Sequence, residues 1–286
     1  EDYANAIKFY DRLWRLEQLE DNDRAVVRFN QGLAHYRRAR DTIRKQERID
    51  RTPSNQQIPL ELDYDQTPRA DFAKVKEILR GYGTLYPQSH YVPESHYLLA
   101  LTYEQLNQDE ESYLELKKLL NEATFNPELI RSLEKNRAMG DRDYATINEL
   151  KAIWNFWKKK TGNYLANKFF ENAEFYNAYR IYSGLQDIDP SPSWRVPILY
   201  QLALCEEKLG NYVQATETYS SIEDYVNSVQ EAREDMANNE YLNFVFGMAK
   251  WRREQLEDTR AIRQAVNRYG IYTVPSRSDP ALSAIE

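Results

Sequence analysis

The side chains best suited to acid–base chemistry or metal binding in this sequence are its three histidines, His35, His90 and His96. His90 and His96 are close in sequence, but Pro93 and a predicted loop-to-helix boundary separate them, and no carboxylate stands at ligand spacing on the same face. The sequence also lacks a glycine-rich phosphate loop, a dinucleotide fingerprint, a His-Glu-x-x-His motif and a Cys-x-x-Cys motif. We therefore predict no metal site, no cofactor and no enzymatic activity.

The remaining reactive side chains have structural explanations. The acidic run Asp109-Glu110-Glu111 lies at a predicted turn and helix start, where the helix dipole favours negative charge. Cys205 is the single cysteine, which excludes an internal disulfide, and its neighbours are apolar. We predict that it is a small buried hydrophobic side chain.

Composition and charge restrict the class of protein. The chain has 286 residues, a net charge of −7, 42% hydrophobic residues, 9 glycines and 11 prolines, which is typical of a folded, helix-rich protein. Acidic and basic residues are interspersed, which disfavours nucleic acid as a partner. The clusters Arg37-Arg38-Arg40 and Lys158-Lys159-Lys160 are predicted to lie on solvated helix faces. No apolar run reaches membrane-spanning length.

The elements that position these side chains follow an internal repeat. Five residues that begin with Leu165 have similar counterparts 37 positions later, beginning with Leu202. Five earlier residues, beginning with Leu99, fit the same template 66 positions before the Leu165 set. Alternating large and small apolar positions of this kind indicate helix–turn–helix units that bury their apolar faces by stacking. The three sets are Leu165, Ala166, Ala178, Tyr182, Leu185; Leu202, Ala203, Ala215, Tyr219, Ile222; and Leu99, Ala100, Ser112, Leu116, Leu119.

This template divides the chain into units. Within the unit at 21–92, a helix is predicted over 23–49, with Asp23 as N-cap and Gly32 in a small-residue position. A second helix is predicted over 69–84. The predicted segments are 1–20, the second helix of a truncated repeat; 21–92, a repeat with a long inserted loop at 50–68; 93–122, a full unit; 123–160, a divergent helical pair; 161–194 and 195–225, full units; 226–272, capping helices; and 273–286, a tail. Because the chain opens inside a repeat, we expect upstream sequence, such as a signal or an anchor.

These residues resemble tetratricopeptide (TPR) repeats. The family pattern is matched well in two units, by Leu202-Ala203, Gly210-Asn211-Tyr212, Ala215 and Tyr219 and by Leu165-Ala166, Ala178, Tyr182 and Pro190. The unit at 93–122 matches with Leu99-Ala100, Tyr103 and Asn107 but has Ser112 in the alanine position. The resemblance implies an all-α fold, a right-handed α-solenoid of TPR-like helix–turn–helix repeats with a C-terminal helical cap.

A narrower resemblance rests on residues 85–95, where a Tyr-Pro-x-Ser turn, Tyr86 to Ser89, leads into the next repeat. This run is similar to bacterial envelope TPR proteins such as the BamD-like outer-membrane assembly lipoproteins and the TolA-binding periplasmic proteins. It implies a periplasmic or outer-membrane-associated scaffold or adaptor, with a cytoplasmic location as the alternative. The insertion at 50–68 and the divergent segment at 123–160 depart from the compact pattern of those lipoproteins.

The resemblance also implies where a partner binds. In TPR proteins the first helices line a concave groove, and the first-helix residues outside the packing pattern face it. We therefore expect a groove of mixed aromatic and polar character, suited to an extended peptide or a partner helix. The residues carried over are Phe29, Leu33, Tyr36, Arg37; Tyr97, Leu101, Glu104, Gln105; Asn163, Asn167, Phe170, Glu171; and Tyr200, Leu204, Glu207, Lys208.

Two other functions remain open at this point. The array could be a structural subunit that packs inside a large multiprotein assembly, through copies of itself or through other proteins. A weaker alternative is a helper protein that associates with peptidoglycan through exposed tryptophans, Trp154 and Trp157.

Overall fold

The computed structural model describes residues 2–53, 67–87, 89–121 and 141–269. Within these ranges every regular element is a helix and no strand occurs, which confirms the all-α prediction. None of these helices is long and apolar enough to cross a lipid bilayer. Most of the predicted insertion and the whole predicted tail lie outside the described residues. The helices are α1 Tyr3–Trp14, α2 Asp21–Arg51, α3 Pro68–Leu79, α4 Tyr82–Leu85, α5 Val92–Gln105, α6 Asp109–Leu120, α7 Asp141–Glu171, α8 Phe175–Leu185, α9 Pro192–Lys208, α10 Tyr212–Ser228, α11 Gln230–Asn238 and α12 Glu240–Tyr269.

Contacts divide the chain into two compact units, Glu1–Gly162 and Asn163–Glu286. In the first unit α2 packs on α1 and α3, α3 packs on α5, and α5 packs on α6. In the second unit α9 packs on α8 and α10, and α12 packs on α9 and α10. The boundary predicted between 160 and 161 falls inside α7, so no turn separates the predicted divergent pair from the next repeat.

The first long helix begins two residues earlier than predicted. Glu20 is its N-cap residue, and Asp23 lies in the first turn, where it complements the helix dipole. Gly32 occupies the predicted small-residue position, because an added Cβ would lie 2.8 Å from Cγ of the buried Leu79. Glycine therefore permits the close approach of α2 and α3.

The predicted helix over 69–84 is interrupted in the structure. Gly81 adopts φ +74°, a left-handed conformation that favours glycine, and it separates α3 from the short α4. The buried hydroxyl of Tyr82 donates to the Ala25 carbonyl at 2.9 Å and lies 2.9 Å from Ser89 Oγ. The Ser89 hydroxyl also accepts from the Tyr91 amide at 3.2 Å. The serine of the Tyr-Pro-x-Ser motif thus fixes the turn against the helices of the first unit.

Three helix–turn–helix pairs share the same turn. Asn107, Ala173 and Gly210 each have positive φ, at 59°, 62° and 79°, and they are related by the same offsets as the sequence repeat. The next residue in each turn donates its amide to a carbonyl five positions back, which closes the helix as in a Schellman motif. These bonds are Gln108 to Tyr103 at 2.9 Å, Glu174 to Phe169 at 2.8 Å and Asn211 to Glu206 at 2.9 Å.

The repeat template also marks the core. All fifteen template residues are buried, and none is more than 7% exposed. In the second unit the core continues from α9 and α10 to Leu242, Val245 and Ala249 of α12. The sequence pattern therefore selected buried positions in both units, although the Ser112 position shows that a small polar side chain can replace alanine.

Candidate interaction site in the first unit

The site is built on two helical pairs, and in each pair a histidine of the first helix contacts a carboxylate of the second helix. His35 Nδ1 of α2 lies 2.7 Å from Asp71 Oδ1 of α3, and Arg38 donates to both oxygens of the same carboxylate at 2.7 and 2.8 Å. His96 of α5 contacts Glu115 of α6 in the same way. Each histidine therefore connects a first helix to its second helix, which explains two of the histidines as packing residues rather than ligands.

Asp71 is fully buried and still favours its charged form. Burial acts to raise the pKa of this carboxyl, but the hydrogen bonds from His35 and Arg38 outweigh burial and hold the pKa below its ordinary value. The pKa of Glu115 is also lowered, because His96 and Lys118 outweigh its burial. In each pair, the first helix is therefore fixed on its second helix through a carboxylate that favours its charged form.

Four of the residues predicted for the groove come close together on α2 and α5. The Glu104 carboxylate helps to raise the pKa of Tyr36 and of Tyr97, and Tyr36 also acts on the pKa of Tyr97. Arg37 acts to lower the pKa of Glu94 on the same surface. Burial raises the pKa of Tyr36 and of Tyr97, so both hydroxyls remain neutral donors. We call this surface, formed by Tyr36, Arg37, Tyr97 and Glu104, the α2–α5 face.

Lys160 of α7 covers one end of the α2–α5 face. Its ammonium lies 4.9 Å from the Tyr97 ring centroid and 4.5 Å from that of Trp157, and the two rings are 5.2 Å apart. Cation–π contacts of this kind hold a cation over aromatic rings. Trp154 and Trp157 are each only 8% exposed, which corrects the prediction that they are exposed. Both tryptophans contribute to packing because the apolar stripe of α7 is covered.

The other predicted residues of the first unit differ in accessibility. Phe29 is 1% exposed, stacked 4.3 Å from Tyr91 and edge-on to Tyr82, so its assignment to the groove was wrong. It is a core residue because α2 is covered by the turn before α5 as well as by α3. Leu33 and Leu101 are half-buried, whereas Arg37 and Gln105 are exposed.

In the second unit the chain itself contacts the predicted groove residues. Arg252 of α12 donates to Glu207 at 3.1 Å and to the Tyr200 hydroxyl at 3.3 Å, and Tyr219 donates to Glu207 at 2.6 Å. Asn167 accepts from the Tyr182 hydroxyl. The remaining residues predicted here are half-buried in three cases, Asn163, Phe170 and Leu204, and exposed in two, Glu171 and Lys208.

A cleft beside the α2–α5 face was missed by sequence reasoning. Tyr3 of α1 and five residues of α2 line a cavity of about 650 Å³. The α2 residues are Tyr36, Arg37, Arg40, Asp41 and Arg44. The spacing of three, four and seven residues between Arg37, Arg40 and Arg44 indicates one helix face. The prediction instead grouped Arg37, Arg38 and Arg40 as one solvated cluster, and it was wrong for Arg38, which contacts the buried Asp71.

No group of three or more metal-binding side chains comes together in the parts of the chain that the structure describes. In comparisons with known proteins, no family model and no curated protein matches this chain. The function is therefore argued from the repeated helical pairs and the surfaces that they present.

Proposed function

We propose that this chain is a non-enzymatic interaction scaffold of a bacterial cell envelope, periplasmic or associated with the outer membrane, and that it binds a partner protein. The proposed architecture is a TPR-like α-solenoid whose first helices present the binding surface. The observation that carries the proposal is the repeated turn, because Asn107, Ala173 and Gly210 give three helical pairs the same backbone geometry at the same position of the repeat.

The α2–α5 face supports a protein partner rather than a small substrate. It combines the half-buried Tyr36 and Glu104 with the exposed guanidinium of Arg37, whereas the Tyr97 ring is 8% exposed and covered by Lys160. Tyrosine and arginine are enriched at the energetically important positions of protein interfaces, and a helical groove with such side chains accommodates a peptide or a helix. The envelope assignment rests on the resemblance of the Tyr-Pro-x-Ser turn alone.

Capture of partners from an envelope extract and from a cytosolic extract tests this function. The bait is the full chain, beside a face variant, Arg37→Ala with Gln105→Ala, whose side chains are exposed. The matched control is Glu110→Ala with Lys117→Ala, two exposed residues of the second helix α6. We expect envelope proteins that the wild type and the control retain and the face variant loses. Loss from both variants, or recovery of cytosolic proteins only, would contradict the proposal.

A structural subunit is the second candidate, and one observation favours it. Tyr241, Phe244 and Trp251 are exposed by 61, 66 and 51% and follow one face of α12. Aromatic stripes of this size on a helix are typical of interfaces. If copies of the chain associate through this stripe, sedimentation should show concentration-dependent oligomers that Phe244→Ser with Trp251→Ser removes. The hypothesis of a peptidoglycan helper loses its basis, because Trp154 and Trp157 are buried.

A further inference from the structure

The cleft between α1 and α2 carries three arginines on one face. Arg37 and Arg44 are exposed and Arg40 is half-buried, and all three line the cavity of about 650 Å³ together with Tyr3 and Tyr36. Within the described residues, none of these guanidiniums forms an ion pair. Arginines that line one cleft repel one another, and an anion bound between them removes this repulsion.

The one acidic residue that lines the cleft, Asp41, cannot balance three guanidinium groups. The Asp41 carboxylate is 2.7 Å from Lys45 Nζ, the residue one helical turn further on. Its negative charge is therefore balanced within α2, and the cleft has an excess of positive charge in a chain whose net charge is −7. Local charge opposite to that of the whole chain indicates a surface complementary to an acidic group.

The geometry of the arginine row fits an extended peptide. From Arg37 to Arg44 the helix rises about 10 Å, at 1.5 Å a residue. Alternate side chains of an extended chain point the same way and are about 7 Å apart, so two or three carboxylates at alternate positions can reach the row. Planar guanidinium groups bind carboxylates through two parallel hydrogen bonds.

We infer that this cleft binds an acidic extended segment of a partner protein, with Asp or Glu at alternate positions facing Arg37, Arg40 and Arg44. The inference rests on the proposed function as a protein-binding scaffold and names the chemistry of its partner. A nucleic acid is disfavoured, because a cleft of this size with three arginines neutralises few phosphates and the rest of the chain repels a long polyanion.

A fluorescent ten-residue peptide that alternates Glu and Ser is the probe, measured by anisotropy against the full chain. We expect it to bind the wild type, whereas the same peptide with Gln in place of Glu does not. Arg40→Gln with Arg44→Gln should weaken binding about tenfold or more, as expected for arginines at the centre of an interface. Raising the salt concentration should weaken binding as well, because the cleft is open to solvent.

The control variant is Arg48→Gln with Arg51→Gln, which removes the same charge from exposed residues of the same helix outside the cleft. Its affinity should stay within about twofold of wild type, since distant charges are screened. Equal loss in both double variants, or tighter binding of a ten-residue oligothymidine than of the peptide, would overturn the inference. The chain has its own alternating acidic residues at Glu61, Asp63 and Asp65. If the peptide binds only after Glu61→Gln, Asp63→Asn and Asp65→Asn, the inference is also overturned, because this segment would then be the occupant of the cleft.

The outcomes separate this inference from the proposed function. If the face variant loses envelope partners but the acidic peptide does not bind the wild type, the scaffold proposal stands and the acidic specificity is wrong. If the peptide binds through Arg40 and Arg44 but no envelope protein is captured, the anionic cleft stands and the envelope scaffold is wrong.

Discussion

Tyr97 with Glu104 in the first unit and Tyr200 with Glu207 in the second occupy the same two positions of the helical repeat, yet their surroundings differ. In the second unit, Arg252 contacts both the tyrosine and the glutamate, and the chain supplies the cation that neutralises the carboxylate. In the first unit, the arginines nearest to the equivalent face line an open cleft and form no ion pair within the described residues.

The difference shows that a repeat position fixes where a side chain lies but not what it contacts. Where the chain adds a further long helix, as α12 does on α9, the first-helix surface becomes an internal ion pair. On the side of α2 that faces only the short helix α1, charged side chains remain available to a partner. Arginines of the two units should therefore differ in their contribution to stability and to binding.

The largest effect is expected beneath the α2–α5 face. Asp71→Ala leaves Arg38 and His35 without their buried carboxylate, and breaking a buried pair costs about 3–5 kcal/mol of the free energy of unfolding. Urea unfolding measures the loss, and hydrogen exchange should locate it in α2 and α3 rather than in the second unit. Asp41→Asn, which breaks only the partly exposed pair with Lys45, serves as control and should cost less than about 1 kcal/mol.

Removing the paired arginine of the second unit should have a smaller effect. Arg252→Ala leaves the half-buried Glu207 carboxylate with only the Tyr219 hydroxyl among the donors described here, at a cost of about 1–3 kcal/mol. Faster amide hydrogen exchange in α9 and α12 of the Arg252→Ala variant would confirm this loss of stability. If the variant were as stable as wild type, the ion pair of the second unit would be no stronger than a surface contact.

Acid should act on the two units in opposite directions. The lowered pKa of Asp71 contributes stability above its ordinary pKa of 3.8, and this stability is lost as the pH falls through the lowered value. Burial raises the pKa of Glu206 above its ordinary value of 4.5, despite a hydrogen bond from Thr218. The buried carboxyl therefore lowers the free energy of unfolding increasingly as the pH rises from 4.5 through the raised pKa.

Glu206→Gln isolates the second effect. Glu206 is 2% exposed and one of its carboxylate oxygens has no hydrogen-bond partner within the described structure. The variant should be more stable at pH 7 by an amount on the order of 1 kcal/mol, with a smaller gain at pH 4. A gain that is independent of pH would show that the pKa of Glu206 is the same in the folded and the unfolded chain, so that burial does not raise it.

The smallest effect on stability is expected for the arginines of the cleft. Arg40→Gln with Arg44→Gln removes two cations that have no ion-pair partner in the described residues, so the free energy of unfolding should stay within about 0.5 kcal/mol of wild type. Urea unfolding of this double variant, of Arg252→Ala and of the wild type measures the difference. A large loss would mean that these arginines support the fold, and the contrast between the two units would then fail.

Much of the fold was predictable because its signals are local. The repeat template selected fifteen buried residues, and Gly32 was predicted as a small-residue position. The prediction of helix ends was less accurate, because Gly81 interrupts the helix predicted over 69–84. A left-handed residue can end a helix at a position where the apolar pattern continues.

The site was predictable only in part. Tyr36, Arg37, Tyr97 and Glu104 do lie near one another, but Phe29 is buried, and Arg252, which covers the equivalent residues of the second unit, is 45 residues away from its partner Glu207 in sequence. The open cleft was also missed, because Tyr3 and Arg40 belong to different helices.

The sequence by itself determined the buried positions of the repeat template and the three equivalent turns, because periodic apolar side chains and local backbone hydrogen bonds act over a few residues. The tertiary structure alone decided which arginines are paired and which remain open to a partner. The reason is physical: an ion pair depends on which distant helix packs against a surface, and helical periodicity carries no information about that neighbour.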